Sequence, residues 1–236
     1  MKVSGGSALI VAPHHDDETF ACGGTIALKR KAGVNVDIVF VTDGSQSHAD
    51  LRPIDQIVAS RKQEAIDAAR LLGVPSGNLH FLDGPDGRMH EITEAARFEL
   101  AGRLADIIEK CRAQEIYVPH RHDRHADHEV TYELTLAALE RAGVNADLLE
   151  YPVWLLWKRS LKPGGLAEVR GAGRVDVSAA QALKNQAIAV YRSQLPSMPP
   201  GFLPQFAKGI EFFWRRPVRF AAKASSAQLA PALAAQ

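Results

Sequence analysis

Five imidazole and carboxylate side chains stand in a row at His14-His15-Asp16-Asp17-Glu18, just after the apolar run Ala8-Leu9-Ile10-Val11-Ala12 and Pro13. A continuous apolar run of this length reads as a strand buried on both faces. Charge at the end of such a strand is costly unless it is paired or bound to something. A fold for this chain must therefore bring a partner to it, and the sequence contains one. His120-Arg121-His122-Asp123-Arg124-His125-Ala126-Asp127-His128 follows the apolar run Ile116-Tyr117-Val118. Two His/Asp clusters, each at a strand end, point to one metal site assembled from two loops.

Apolar runs alternate with amphipathic segments along most of the chain. Strands are expected at Ala8–Ala12, Val36–Val41, Leu79–Leu82, Ile116–Val118 and Leu148–Val153. Helices are expected from near Glu18 to Lys31, Asp55 to Leu72, Thr93 to Arg112 and Asp127 to Ala142; Gly33 ends the first and Gly73 stands at C′ of the second. This order predicts an α/β fold, a mostly parallel sheet with helices on both faces. In such sheets ligands bind at the carboxyl ends of strands, where strand order reverses. With the order 3-2-1-4-5 that crevice lies between the first and fourth strands, which carry the two clusters.

After Trp157 the pattern loosens at Lys162-Pro163-Gly164-Gly165 and Gly171-Ala172-Gly173. Val175–Val177 reads as a further strand, and Ser178-Ala179-Ala180-Gln181 as a capping box opening a helix to about Ser193. Pro196, Pro199, Pro200 and Pro204 exclude regular structure beyond it. The expected organisation is a catalytic domain over 1–195 and an extension over 196–236. The extension is Pro-rich, then aromatic and basic, with a tail from Ala221 expected to be disordered.

Composition removes several function classes. A net charge of +1 leaves no broad electrostatic footprint for nucleic acid. Cys22 and Cys111 lie outside any CxxC motif and form no disulfide framework, which suits a reducing compartment. With no apolar stretch long enough to span a bilayer and no secretion signal at Met1-Lys2-Val3-Ser4, a cytoplasmic location is expected. Gly23-Gly24 lacks the GxGxxG and GxxxxGK[ST] patterns of phosphate loops, so close backbone packing is its better account.

Catalytic zinc takes three protein ligands and keeps a position open. His14, Asp17 and His128 can supply such a set. His125 lies one helical turn from His128, so one of the pair can ligate while the other faces the substrate. Asp16 is a separate carboxylate suited to take a proton from the attacking water. Asp127 is either a carboxylate orienting a ligand His or the N-cap of the next helix, and Glu18 favours a helix N-terminus. His120 and His122 read as loop residues or as residues supporting the ligands from behind.

Pro13-His14-His15-Asp16-Asp17-Glu18 resembles the PHPDDE motif of the PIG-L/LmbE family of zinc-dependent N-deacetylases, and Asp123-Arg124-His125-Ala126-Asp127-His128 resembles its DxHPDH motif. Weaker likenesses are Val41-Thr42-Asp43-Gly44, Arg61-Lys62-Gln63-Glu64 with Leu72-Gly73, Pro85-Asp86-Gly87, and Lys184 with Tyr191-Arg192-Ser193-Gln194. The resemblance implies a Rossmann-like fold, one Zn2+ per chain and hydrolysis of an N-acetyl group, usually on an N-acetylglucosamine unit. It implies His14, Asp17 and His128 as zinc ligands and Asp16 as general base. It gives His125, in protonated form, the oxyanion or the leaving amine, and Arg61 and Asp86 a contact to the substrate. His15 and Ala126 stand where the family motifs have proline, and His15 is a competing ligand.

The stretch 202–223 places Phe206, Ile210 and Phe213 at helical spacing, with Trp214, Phe220 and five cations. It reads as a segment packing on the domain or on a second copy in a homo-oligomer, or as a peripheral membrane contact. The expected partner is a small-molecule or glycoconjugate substrate. The alternatives are an amidase on another amide, such as a thiol conjugate, and a non-catalytic α/β ligand-binding module.

Overall fold

The computed structural model describes residues 3–46, 52–160 and 171–220. Five parallel strands form the centre: β1 (Ala8–Ala12), β2 (Val36–Thr42), β3 (Leu79–Gly84), β4 (Glu115–Pro119) and β5 (Ala146–Tyr151). β6 (Gly173–Asp176) and β7 (Ile210–Val218) add an antiparallel margin, so the order is β3-β2-β1-β4-β5-β7-β6. The helices are α1 (Asp17–Lys31), α2 (Ile54–Leu71), α3 (Glu94–Cys111), α4 (Ala126–Ala142), α5 (Trp154–Ser160) and α6 (Gln181–Ile188). None among the described residues is long and apolar enough to cross a membrane.

Strand alternation divides the core in two. Ile10 and Phe40 point to the face covered by α1, α2 and α6, where they join Phe20, Ile26, Ala65 and Ala187. Leu9, Val11, Val39 and Val41 point to the opposite face, against Leu104 and Ile108 of α3 and Leu139 of α4. Every residue of β1 is buried, which is why its sequence is apolar throughout. Ala8 pairs with Val36 on one side and Glu115 on the other, so β1 is central and its carboxyl end opens beside that of β4. The strand reversal thus falls at the two charged clusters.

Local chemistry sets the helix ends. Gly73 has φ +86°, with Gly73 N–H donating to Arg70 C=O and Val74 N–H to Ala69 C=O. This double bond pattern closes α2 through a residue that carries no Cβ penalty. Thr93 caps α3 by accepting from Ala96 N–H at 3.2 Å. Gly24 faces Val177 so closely that a Cβ would stand 2.5 Å from the valine Cβ, so the glycine pair does serve close packing.

Three local expectations fail. Ser178 and Gln181 form no capping box: the Ser178 hydroxyl bonds Gly209 C=O, while the Gln181 amide accepts from Gly209 N–H and donates to Phe206 C=O. α6 ends at Ile188, short of Ser193, because the chain turns to send Tyr191 to Glu18 and Ser193 to Glu64. The helical spacing of Phe206, Ile210 and Phe213 is also misleading, since 210–218 is strand β7, paired with β5. Its buried positions Glu211 and Phe213 alternate with period two, but one of them is an acid. Glu211 accepts from the backbone of Gly24 and Thr25 in α1 and from Lys184 in α6. Arg215 and Arg219 bond Asp147, and Arg216 bonds the Tyr132 hydroxyl. The tail from Ala221 lies outside the described residues.

Candidate active site

The carboxyl ends of β1 and β4 deliver the two clusters to one cavity of about 430 Å³. His14 and Asp17 come from the turn between β1 and α1, and His128 from the first turn of α4. His14 Nδ1 is 3.1 Å from Asp17 Oδ2, His128 Nε2 is 3.2 Å from the same oxygen, and the two nitrogens are 3.4 Å apart. Burial opposes the charged form of each ring, but the carboxylates of Asp127, Asp17 and Asp123 raise both pKa values, that of His128 to about 9. The metal-free rings therefore hold protons that a cation would displace from the near nitrogens, while the far ones stay bonded to carboxylates. His14 Nε2 faces Asp127 Oδ2 at 3.0 Å and His128 Nδ1 faces Asp123 Oδ2 at 2.8 Å. Two imidazole nitrogens and a carboxylate oxygen thus converge on one point. An ion with bonds of about 2.0–2.2 Å in tetrahedral geometry holds its ligands about 3.3 Å apart, so this set fits a divalent zinc-like cation.

Other donors gather around the same histidine. His125 with His14 and His128, and Asp86 and Asp127 with His14, also lie within 4.8 Å of one another. The second grouping is already satisfied. Asp127 accepts from the N–H groups of Gly87 (2.7 Å) and Met89 (3.1 Å), and Asp86 accepts from Arg61 (2.9 Å) and Gln46 N–H (2.9 Å). Asp127 thus orients His14 and is not a helix cap; His125 holds the N-cap position of α4.

Asp123, within the second motif, organises the second loop. It accepts from His128 and from the N–H groups of Val153, Trp154 and Leu155 at 2.9–3.0 Å. An acid five residues before a candidate ligand His, after a strand, is its signal in the sequence.

Asp16 sits at φ +147°, a conformation that L-residues rarely adopt. Its peptide is held on both sides. Its N–H donates to Glu18 Oε2 at 3.1 Å, and its C=O accepts from Thr19 and Phe20 N–H. The other oxygen of Glu18 accepts from the hydroxyls of Thr19 and Tyr191. Glu18 is thus a buried strut under Asp16, not merely a favourable charge at a helix N-terminus, and Tyr191 is its anchor. Burial raises the Glu18 pKa to about 7.

Burial and the charge of Asp17 push the Asp16 pKa well above the usual carboxylate range, against opposing pulls from Arg61 and His14. Burial also disfavours an ionised Asp17, but His128 and His14 more than offset it and hold the pKa low. Burial, together with the cationic forms of His128 and His14, lowers the His125 pKa to about 3. In the metal-free protein this imidazole is therefore neutral. Its ring lies over Trp154 (centroids 5.9 Å, 24° between planes), and its Nδ1 is buried without a hydrogen-bond partner.

His15 is no competing ligand. It stacks on Phe40 (4.9 Å) and Phe81 (5.8 Å), with both ring nitrogens buried and unpaired. Arg61 and Asp86 both line the cavity, as a buried ion pair; Arg61 also donates to Gly44 C=O at 3.1 Å. His120 lies against Trp214 (4.5 Å) and, like His122, does not line the cavity.

Residues 9–139 match the PIG-L family, GlcNAc-PI de-N-acetylase. A 1D-myo-inositol 2-acetamido-2-deoxy-alpha-D-glucopyranoside deacetylase of Mycobacterium sp. (strain KMS) is 35% identical over 156 residues, covering 57% of this chain and 50% of the relative. This chain thus spans about half the length of that relative. A diacetylchitobiose deacetylase of Thermococcus kodakarensis is 26% identical over 197 residues, covering 80% of this chain and 70% of the relative. In three dimensions an N,N'-diacetylchitobiose deacetylase from Pyrococcus horikoshii has the same fold, with a TM-score of 0.68 at 21% identity over 89% of this chain and 84% of that one. With a match over more than half its length, and with both motif clusters converging on a single cavity, the chain belongs to the PIG-L family.

Proposed function

We propose that the chain is a zinc-dependent hydrolase that removes the N-acetyl group of an N-acetylglucosamine-type sugar or glycoconjugate, releasing acetate and a free amine. One Zn2+ per chain would be held by His14, Asp17 and His128. The observation that carries this reading is the triangle of donor atoms 3.1–3.4 Å apart, with Asp16 and His125 on the same cavity. A reducing compartment suits the two free cysteines.

A cation bound there supplies Lewis acidity, polarising the amide carbonyl and lowering the pKa of the attacking water. Asp16 accepts the proton of that water, and its raised pKa lets the carboxyl keep the proton through the attack. His125, neutral, offers the N–H of Nε2 to the oxyanion developing on the carbonyl. A neutral imidazole has no spare proton, so Asp16 returns its own to the departing amine. Arg61 and Asp86 face the sugar hydroxyls from the polar flank of the cavity.

The test is acetate release from free, thiol-precursor-like, nucleotide-linked and lipid-linked N-acetylated sugars. Release by the zinc-loaded protein is expected to stop with chelator and to fall at least about 10²-fold in Asp16→Asn, with zinc stoichiometry intact. Undiminished release by that variant would remove Asp16 as base, and chelator-insensitive release would remove the metal.

A further inference from the structure

The cavity has two unlike flanks. The polar one carries His14, Asp16, Asp17, Arg61, Asp86 and His125; the other is a wall of Trp154, Trp157, Met198, Pro199 and Phe202. We propose that this wall seats a hydrocarbon group, alkyl or aryl, that the substrate carries next to its scissile amide. The inference rests on the deacetylase reading and names the substrate class that reading leaves open.

The wall is preformed. Trp154 packs against Trp157 (5.8 Å between centroids) and Phe202 (5.1 Å), and Phe202 is backed by Phe20 (5.5 Å) and Phe206 (5.1 Å) from the core. Rings fixed in this way lose little freedom when an apolar group covers them. The wall begins at the reacting centre, because Trp154 is the residue on which His125 stacks.

The flank is also poor in hydrogen-bonding groups. Trp157 Nε1 already donates to Pro200 C=O at 3.1 Å. Among the described residues the remaining hydrogen-bonding side chains there are the Trp154 indole, Gln194, whose amide donates to Ser193 Oγ at 2.8 Å, and Ser197. A second sugar ring could lay a C–H face on a tryptophan, but its rim of hydroxyls would meet aromatic carbon. Buried hydroxyls without partners weaken binding, whereas alkyl or aryl groups have none to satisfy. The hydrocarbon can enter as the aglycone or as a longer acyl chain, and the probes separate the two.

The zinc-loaded enzyme is assayed with methyl and hexyl N-acetylglucosaminides, N-hexanoylglucosamine and N,N'-diacetylchitobiose. The hexyl glycoside or the hexanoyl amide is expected to exceed the methyl glycoside in kcat/KM by at least about tenfold, since each buried methylene is worth roughly fourfold. That ratio collapses toward one in Trp157→Ala and in Met198→Asn, and Trp157→Phe restores it. A diacetylchitobiose preference, or rates equal within about twofold, would overturn the inference. Calorimetric binding of products that cannot turn over (hexyl against methyl glucosaminide, hexanoate against acetate) keeps the two readings apart. If nothing is hydrolysed but a hexyl product binds about tenfold tighter, the deacetylase reading fails and the apolar subsite stands. Equal binding of the products overturns the subsite whatever the turnover.

Discussion

Asp123→Asn tests whether the metal site is set by hydrogen bonds behind it. Asp123 is fully buried. One oxygen takes Val153 and Leu155 N–H; the other takes Trp154 N–H and His128 Nδ1–H. Asparagine keeps one oxygen and puts an NH2 in place of the other. If the oxygen stays toward Val153 and Leu155, the NH2 meets two donors. Trp154 N–H loses its acceptor, and His128 can answer only by moving its proton to Nε2, the atom that faces His14 and Asp17. In that tautomer the ring no longer ligates. Losing a partner of this type costs about 10–100-fold in metal affinity, or about 1.4–2.8 kcal/mol. Hydrogen bonds to a charged group are worth about 1.5–3 kcal/mol each, so the metal-free fold should weaken by about 2–4 kcal/mol. Zinc titration against a competing chelator and urea unfolding in chelator read the two effects separately. A zinc Kd within about twofold of the parent would refute the claim that Asp123 sets the tautomer.

The metal-free protein should lose stability as pH rises, through Glu18. Its folded pKa of about 7 stands above the ordinary 4.5, so the folded state holds a proton the unfolded state releases. This contribution is complete below about pH 4.5 and is lost as pH rises through about 7, a fall of about 3 kcal/mol. Glu18→Gln should flatten that part of the stability profile measured in chelator, and an unchanged profile would remove Glu18 as its source. Gly24→Ala must displace Val177 and should cost about 1–3 kcal/mol in urea unfolding; a cost near zero would show that the β6–α1 contact yields freely. His15→Phe should leave zinc stoichiometry unchanged while removing two unpaired buried nitrogens, whereas loss of zinc would make His15 a ligand after all.

The parallel sheet, its order through β5 and the meeting of the two clusters were legible because each depends on local pattern. Apolar runs mark doubly buried strands, and glycines mark helix ends. Topology then forces the ends of β1 and β4 together. What escaped notice depends on pairings that no local pattern announces. β7 hides because its inward alternation includes Glu211, an acid made tolerable by Lys184 and two amides of α1. The capping box failed because the 206–209 loop offered Ser178 and Gln181 better partners than their own helix. The charge state of His125 depends on burial and on His128 and His14, which sequence spacing alone cannot weigh.

The same distinction explains how the site divides its labour. The proposed ligands and base come from two short turns within 9–139, the part that carries the family match. Their precision is supplied from farther along. Tyr191 anchors the acid that clamps the strained Asp16 peptide, and Asp123 ties His128 to the first turn of α5. The residues that hold the chemistry in register thus sit next to those that form the apolar wall: Trp154 follows the amide of Val153, and Gln194 follows Tyr191 by three positions. A change that reshapes the wall for another substrate therefore risks loosening the base or the ligand behind it. Substitutions at Trp157 and Met198, which hold neither strut, are the positions where substrate preference can shift while the Asp16 and His128 supports remain in place.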